Sequence, residues 1–347
     1  MWCLESECRC KILFMKIAIV KLSALGDIVH AMVVLQFIKK YNQEIEIDWV
    51  VEQCYKELVD FHPDINKVHL VNIKKAKKKK SLYFLFKELQ KVRQFGKYDI
   101  VIDMQGLIKS ALISRLIPSP ITLGFDNSSI RENIASFFYN KTYKYGYDEN
   151  VIERNFALIK FALGLNNRKE DILKKLPFLH INRKYFFTNL SKTHKNILLI
   201  PGSSNISKCI PFSKLAKITT YLDANFIVIW GDSSEKILAN DVKDLAPMVH
   251  ISNKLSLEEL KSLINQVDLV IGPDTGPTHM AWALNVPSIT LFGPTPGYRN
   301  CYLTPINRII ESKSIVNPLK INPNDFSIKT IEVSEIVKIT QLLLEIK

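Results

Sequence analysis

Twice along the chain, short runs rich in Val, Ile and Leu alternate with stretches of helical periodicity, and the series starts over near residue 196. In the first half the strand-like runs are 16–21, 45–51, 67–71, 98–103 and 121–125. Helical stretches lie near 28–41, 80–95, 106–117, 128–138 and 150–164. In the second half, runs at 196–200, 225–231, 248–252, 268–272 and 288–293 enclose helices near 211–222, 234–245, 256–266 and 276–285. Such alternation makes each strand reach the next through a crossover helix, which builds parallel sheets. The expected fold is therefore α/β, with two Rossmann-like domains in series over 15–175 and 190–328. A polar segment, 167–196, joins them. A helix over 329–347 closes the chain, placed where it could pack back on the N-terminal domain. The first strand starts cleanly at Met15, so 1–14 read as an unstructured extension. With 347 residues and 47% hydrophobic side chains, a core can be buried in each half.

No uncharged apolar run approaches the ~20 residues that span a bilayer, and the N-terminus lacks the basic-then-apolar layout of a secretory signal. A cytoplasmic protein is expected. Its six cysteines show no metal-ligand spacing, so free thiols and no metal site are expected. The formal net charge of +13 attracts polyanions: nucleic acid, an acidic membrane face or a phosphorylated substrate. The densest run, KKAKKKK (74–80), precedes SLYFLF. It reads either as a solvated loop or as a basic edge beside an apolar helix at a membrane surface.

Ligands of doubly wound sheets bind at the carboxyl ends of the strands, so the informative residues are those just after each strand. With two such sheets facing across a cleft, the active site is expected between the halves. After the first strand comes KLSALGDIVH (21–30). A dinucleotide site would place Gly-x-Gly-x-x-Gly there; this chain has one glycine, Gly26, followed by Asp27. Redox chemistry on a nicotinamide cofactor loses support. Asp27 is either a helix cap or a base. In the second half, IGPDTGPTHMAWAL (271–284) runs from a strand through Asp274, Thr275 and Gly276 into a helix with Pro at its start and His279 in its first turn. The free N–H groups and the positive end of the dipole there suit an anion. PGSSNISKCIPF (201–212) supplies Gly202, Ser203, Ser204 and Lys208 after another strand. Hydroxyls and a lysine suit a diphosphate, although the P-loop pattern is missing. No Asp-x-Asp occurs, so a diphosphate would be neutralised by Lys208 and helix dipoles rather than through a carboxylate-held metal.

KLSALGDIVH, VIDMQGLIKSALISRL (101–116), GFDNSSIRENIASFFYN (124–140) and GPDTGPTHMAWALNVPSITLFGPT (272–295) together resemble the bacterial lipopolysaccharide heptosyltransferases, glycosyltransferase family 9. The likeness runs from Met15 to about residue 300 and is greatest to members that add the first heptose to Kdo. It implies an inverting, metal-independent enzyme of the GT-B class, needing no cofactor. Heptose would move from ADP-heptose to Kdo-lipid A, at the cytoplasmic face of the inner membrane and with no nucleic acid partner. The alternative within the family is heptosyltransferase II or another core-sugar transferase. Outside the family, a basic nucleotide- or nucleic-acid-binding module would explain the charge but not the 274–279 motif.

Carried onto matching positions, the resemblance makes Asp27 the general base. It places Ser203, Ser204, Lys208, Asp274, Thr275, Gly276 and His279 on the donor, with Leu255 against the adenine. Ser23, Gly26, Lys74, Lys75, Lys77, Lys78, Gln105 and Arg131 face the anionic acceptor. The family's acid for the ribose, just after the WG of VIWGDSSEK, meets Ser233 here, with Asp232 or Glu235 as the substitutes.

Overall fold

The computed structural model describes residues 15–345. The extension 1–14, with Cys3, Cys8 and Cys10, lies outside the described residues. The chain divides into two compact units, at His180 and Ile181.

The first unit holds β1 (Lys16–Val20), β2 (Glu46–Glu52), β3 (Lys67–Val71), β4 (Ile100–Asp103), β5 (Ile121–Phe125) and β6 (Lys141–Tyr143). They form one sheet in the order β3-β2-β1-β4-β5-β6, parallel throughout. Its principal helices are α1 (Leu25–Met32), α2 (Val34–Tyr41), α3 (Ile73–Lys79), α4 (Leu82–Val92), α5 (Ile108–Leu116) and α6 (Val151–Leu163). The second unit holds β7 (Asn196–Leu199), β8 (Asn225–Val228), β9 (His250–Ile251), β10 (Leu269–Pro273), β11 (Ser288–Phe292) and β12 (Asn307–Glu311). Their order is β12-β11-β10-β7-β8-β9. Its helices are α7 (Phe212–Thr219), α8 (Ser233–Leu245), α9 (Leu257–Ile264), α10 (Gly276–Ala283) and α11 (Val333–Glu345). No described helix is long and apolar enough to cross a membrane.

Both sheets thus repeat one order, in which the first strand lies between the second and the fourth. Consecutive connections leave that point in opposite directions and open a crevice at the carboxyl ends. In the first unit the crevice lies between β1 and β4, in the second between β7 and β10.

The structure sharpens three expectations. The run at 74–80 is not a loop: α3 spans most of it. The stretch 128–138 is not an α-helix but two 3-10 segments, Asn127–Ser129 and Asn133–Phe138. Tertiary bonds set its path: the Arg154 guanidinium donates to the Ser129 carbonyl at 2.7 Å, and the Tyr139 hydroxyl donates to Asp103 at 2.8 Å. The terminal helix, α11, packs within the second unit. Its Ile336, Val337 and Leu343 lie in the same apolar core as Leu215 of α7, Ile271 of β10 and Leu291 of β11.

A charged cluster is buried beneath the first sheet. Asp48 of β2 accepts from the Tyr98 hydroxyl at 2.6 Å, contacts His69 Nε2 at 3.2 Å and lies 3.7 Å from Lys16 Nζ. Burial works to raise its pKa. The bonds from His69 and Tyr98 and the Lys16 charge outweigh burial and hold it below the ordinary carboxylate value of 3.8. A depressed folded-state pKa contributes stability above the unfolded value and loses it as pH falls through the folded one. Asp48→Asn should therefore cost about 1–3 kcal/mol at pH 7, and the difference from wild type should shrink below about pH 4. Urea unfolding at pH 7 and pH 3.5 checks this; a gap that widens in acid contradicts it.

Candidate active site

In the first unit, the turn after β1 is held by the turn after β4. Gln105 Oε1 accepts from the backbone N–H groups of Leu22 and Ser23 at 2.8 and 3.0 Å, and its Nε2 donates to the Ser23 carbonyl at 2.6 Å. Gln105 is itself seated by Asp103, fully buried at the end of β4. Asp103 Oδ1 accepts from the N–H groups of Gln105 and Gly106 at 2.8 and 3.2 Å. Burial pushes the Asp103 pKa up, against the hydrogen bonds it receives. Gly106 has φ +69°, and a Cβ there would come within 2.7 Å of the Ile130 side chain. The 126–138 segment, with Arg131 exposed on it, can close on this turn only because position 106 carries no side chain.

Asp27 sits in the first turn of α1, half-buried. Its Oδ2 accepts from the Ala24 N–H at 3.1 Å, and no partner of Oδ1 is seen among the described residues. The carboxylate therefore tethers the helix start with one oxygen and keeps the other available. Gly26 precedes it, half-buried. Ser23 is buried, and its hydroxyl accepts from Lys109 Nζ at 3.3 Å. Sequence reasoning missed Lys109; its signal was a lysine four residues past Gln105, in the first turn of the next helix.

The basic helix reaches the same edge of the sheet through Glu52 at the end of β2. The Glu52 N–H donates to the Leu22 carbonyl at 3.2 Å, and Glu52 Oε1 accepts from the Lys74 N–H at 3.1 Å. Lys74 Nζ donates to the Tyr55 hydroxyl at 2.8 Å. Burial works against the Lys74 charge, but that bond and the nearby acidic groups raise its pKa. Lys75 and Lys78 are exposed on α3; Lys77 is placed in α3 by its backbone.

In the second unit the crevice between β7 and β10 is charged and largely buried. Asp274, just past β10, binds Lys208 Nζ through Oδ2 at 2.9 Å and His279 Nε2 through Oδ1 at 2.9 Å. Asn300 Nδ2 donates to Oδ2 at 3.3 Å. Burial alone would raise the Asp274 pKa; the charges and hydrogen bonds of Lys208 and His279 drive it far below the carboxylate range. Lys208, expected at a diphosphate, is thus also the counter-charge of a buried acid. Thr275 is the N-cap of α10 but makes no side-chain cap bond, so its hydroxyl and the N–H groups of the first turn, at Gly276 and beyond, remain unclaimed by a cap. Across the crevice, Ser203 Oγ is buried and has no hydrogen-bond partner among the described residues, as is true of Thr295 Oγ1 beyond β11. Ser204 is exposed. A buried hydroxyl without a partner costs about 1–3 kcal/mol, which a ligand oxygen would recover. Sequence reasoning missed Thr295, in the loop after β11, and Asn300, at the end of the short helix Gly297–Asn300 that follows it.

The acids beyond β8 also separate. Asp232 caps α8, accepting from the Ser234 and Glu235 N–H groups at 2.9 and 3.0 Å. Glu235 instead accepts from the Gly231 N–H at 2.6 Å and lies on Gly202, where an added Cβ would come within 2.4 Å of its side chain. Glu235 therefore stands across the ends of β7 and β8. Leu255 is half-buried in the segment leading from β9 into α9, further along the same edge.

The model of glycosyltransferase family 9 (heptosyltransferase) matches residues 85–316. Lipopolysaccharide heptosyltransferase 1 of Campylobacter coli is 40% identical over 344 residues, covering 95% of this chain and 99% of that one. Its namesake in Escherichia coli K12 is 28% identical over 291 residues, covering 82% and 89%. Among solved structures, E. coli heptosyltransferase WaaC with ADP superposes with a TM-score of 0.77 at 24% identity, covering 95% and 100%, a likeness of fold. The doubled Rossmann order is thus that of the GT-B class, and the chain belongs to glycosyltransferase family 9, the heptosyltransferases.

Proposed function

We propose that this enzyme transfers L-glycero-D-manno-heptose from ADP-heptose to Kdo of Kdo-lipid A, with inversion at the anomeric carbon. The observation that carries the reading is the pair of crevices. One presents a carboxylate with an open oxygen, and the other presents a lysine, unpartnered hydroxyls and an uncapped helix start. Inversion is a direct displacement: the acceptor hydroxyl attacks the anomeric carbon, ADP departs and the hydroxyl proton leaves. Asp27 takes that proton. Lys208, Ser203, Thr275 and the first turn of α10 receive the charge that grows on the diphosphate, while Asp274 and His279 hold Lys208 and the helix start in place. Glu235 meets the ribose hydroxyls, because its side chain stands across the ends of β7 and β8, against Gly202. Leu255 packs on the adenine. Ser23, Gly26, Gln105 and Arg131 line the acceptor side.

Incubating the purified protein with ADP-heptose and Kdo-lipid A, then reading products by mass spectrometry, tests the proposal. One added heptose on Kdo is expected. Reaction only with an acceptor that already carries heptose would favour heptosyltransferase II or another core transferase.

The acceptor is a membrane lipid, and the same reading makes α3 and α4 a peripheral contact with the cytoplasmic face of the inner membrane. Beside the exposed lysines of α3, Leu82, Tyr83 and Phe86 are 83%, 68% and 57% exposed. Each lysine at an anionic surface contributes about 1 kcal/mol. Replacing Lys75, Lys78 and Lys80 with Gln should lower partitioning onto phosphatidylglycerol vesicles by roughly tenfold or more. Unchanged co-sedimentation would make this face an ordinary solvated one.

A further inference from the structure

A second basic site lies in the second unit, outside the 201–208 and 274–279 segments. A groove of ≈ 870 Å³ runs beside α7 and α11, and Lys214, Lys217, Lys329 and Lys338 line it against a single carboxylate, Glu332. We propose that this groove binds a multiply charged phosphate-bearing ligand.

The lysines come from three separate segments and converge on one concavity. Lys214 and Lys217 belong to α7, Lys329 to the turn Ser327–Thr330, and Lys338 to α11. A merely solvated lysine face would carry interspersed carboxylates at helical spacing; this groove has one acid for four bases. Among the described residues, Lys217, Lys329 and Lys338 form no ion pair.

Lys214 is half-buried and donates to the Ile331 carbonyl, which ties α7 to the entry of α11. Burial lowers its pKa, the Glu332 carboxylate opposes burial in part, and the Lys217 charge adds a smaller lowering. Glu332 thus answers Lys214, and an anion in the groove would add attraction for Lys217, Lys329 and Lys338. The groove volume lies in the range of small-molecule sites, larger than one phosphate needs. A diphosphate or a phosphorylated sugar is the right scale. Tyr221, exposed and lining the groove, offers an aromatic surface to such a sugar.

The ligand's phosphates can belong to a lipid headgroup or to a free molecule. Isothermal titration of the full-length protein with tripolyphosphate, at saturating ADP so that the donor site is occupied, leaves the groove and the α3 lysines open to it, and variants in the groove tell the two apart. Lys217→Glu with Lys338→Glu should weaken that binding by roughly tenfold or more. The paired Gln variant should show a smaller loss in the same direction and serves if charge reversal harms folding. Co-sedimentation of the same variants with phosphatidylglycerol vesicles separates the sources. A parallel loss there identifies a headgroup, and unchanged partitioning identifies a free phosphate compound. Absence of tripolyphosphate binding by wild type under ADP, or equal binding by wild type and variants, overturns the proposal.

Discussion

Asp27→Asn is expected to lower the turnover of heptose transfer by about 10²–10⁴-fold, the range that a positioned general base supplies, while ADP affinity stays within about twofold of wild type. The exchange is chosen because Asn keeps the shape of the side chain. Its amide oxygen can still accept from the Ala24 N–H, as Asp27 Oδ2 does at 3.1 Å, so the start of α1 is retained. Only basicity is lost. Asp27→Ala removes both, and should add a stability cost of about 0.5–2 kcal/mol typical of a lost cap. Single-turnover kinetics, calorimetric ADP binding and thermal melting of the two variants separate the roles. If Asp27→Asn turned over normally and Asp27→Ala only melted earlier, the carboxylate would be a helix cap, and the reaction would need another base.

Asp274→Asn is expected to be the more damaging change to the protein itself. The Lys208 and Asp274 side chains are only 13% and 8% exposed. Removing the carboxylate leaves an ammonium in a site that water reaches poorly, at a cost of about 3–5 kcal/mol. Pairing the change with Lys208→Met removes the stranded charge. The double variant should therefore be less destabilised than the sum of the singles, by roughly 1–3 kcal/mol. Denaturant unfolding of the four proteins measures this coupling, and additive effects would show that the pair contributes nothing to the fold. The pH dependence has a definite sign. The folded pKa of Asp274 lies far below the ordinary 3.8, so the stability it confers is whole above about pH 5 and falls away progressively in acid. Both single variants should lose donor affinity too. On the proposed reading Lys208→Met removes charge at the diphosphate, and Asp274→Asn removes the acid that binds Lys208 and His279.

Much of this site was legible because its determinants are local. A buried parallel strand is a near-continuous apolar run, and the residues after it must make a turn and start a helix. KIAIV followed by KLSALGD, and DLVIG followed by PDTGPTH, therefore mark two strand ends without knowledge of the partner strands. Of the four edge strands, β3 and β9 were legible and β6 and β12 were not. β6 is KTY and β12 is NRIIE; each pairs on one side only, and such short mixed sequences carry no buried-strand signal. The segment 128–138 was misread because its short polar and apolar stretches fit a helical spacing, whereas bonds to Arg154 and Asp103 decide its course.

The amino-acid order by itself determined the two α/β halves and which side chains stand at strand ends, since alternation, turn chemistry and helix starts act over a few residues. Tertiary structure alone decided which ends are neighbours. Setting β1 beside β4 brings Gln105 onto backbone more than eighty residues away. Setting β7 beside β10 joins Lys208 to Asp274 across a separation of 66 residues. It also committed Asp232 to a cap and left Glu235 across the strand ends, and it sent α11 into the second unit's core. The physical reason is common to all of these: strand order, charge pairing and burial are settled by contacts between segments distant in the chain, which local propensity does not encode.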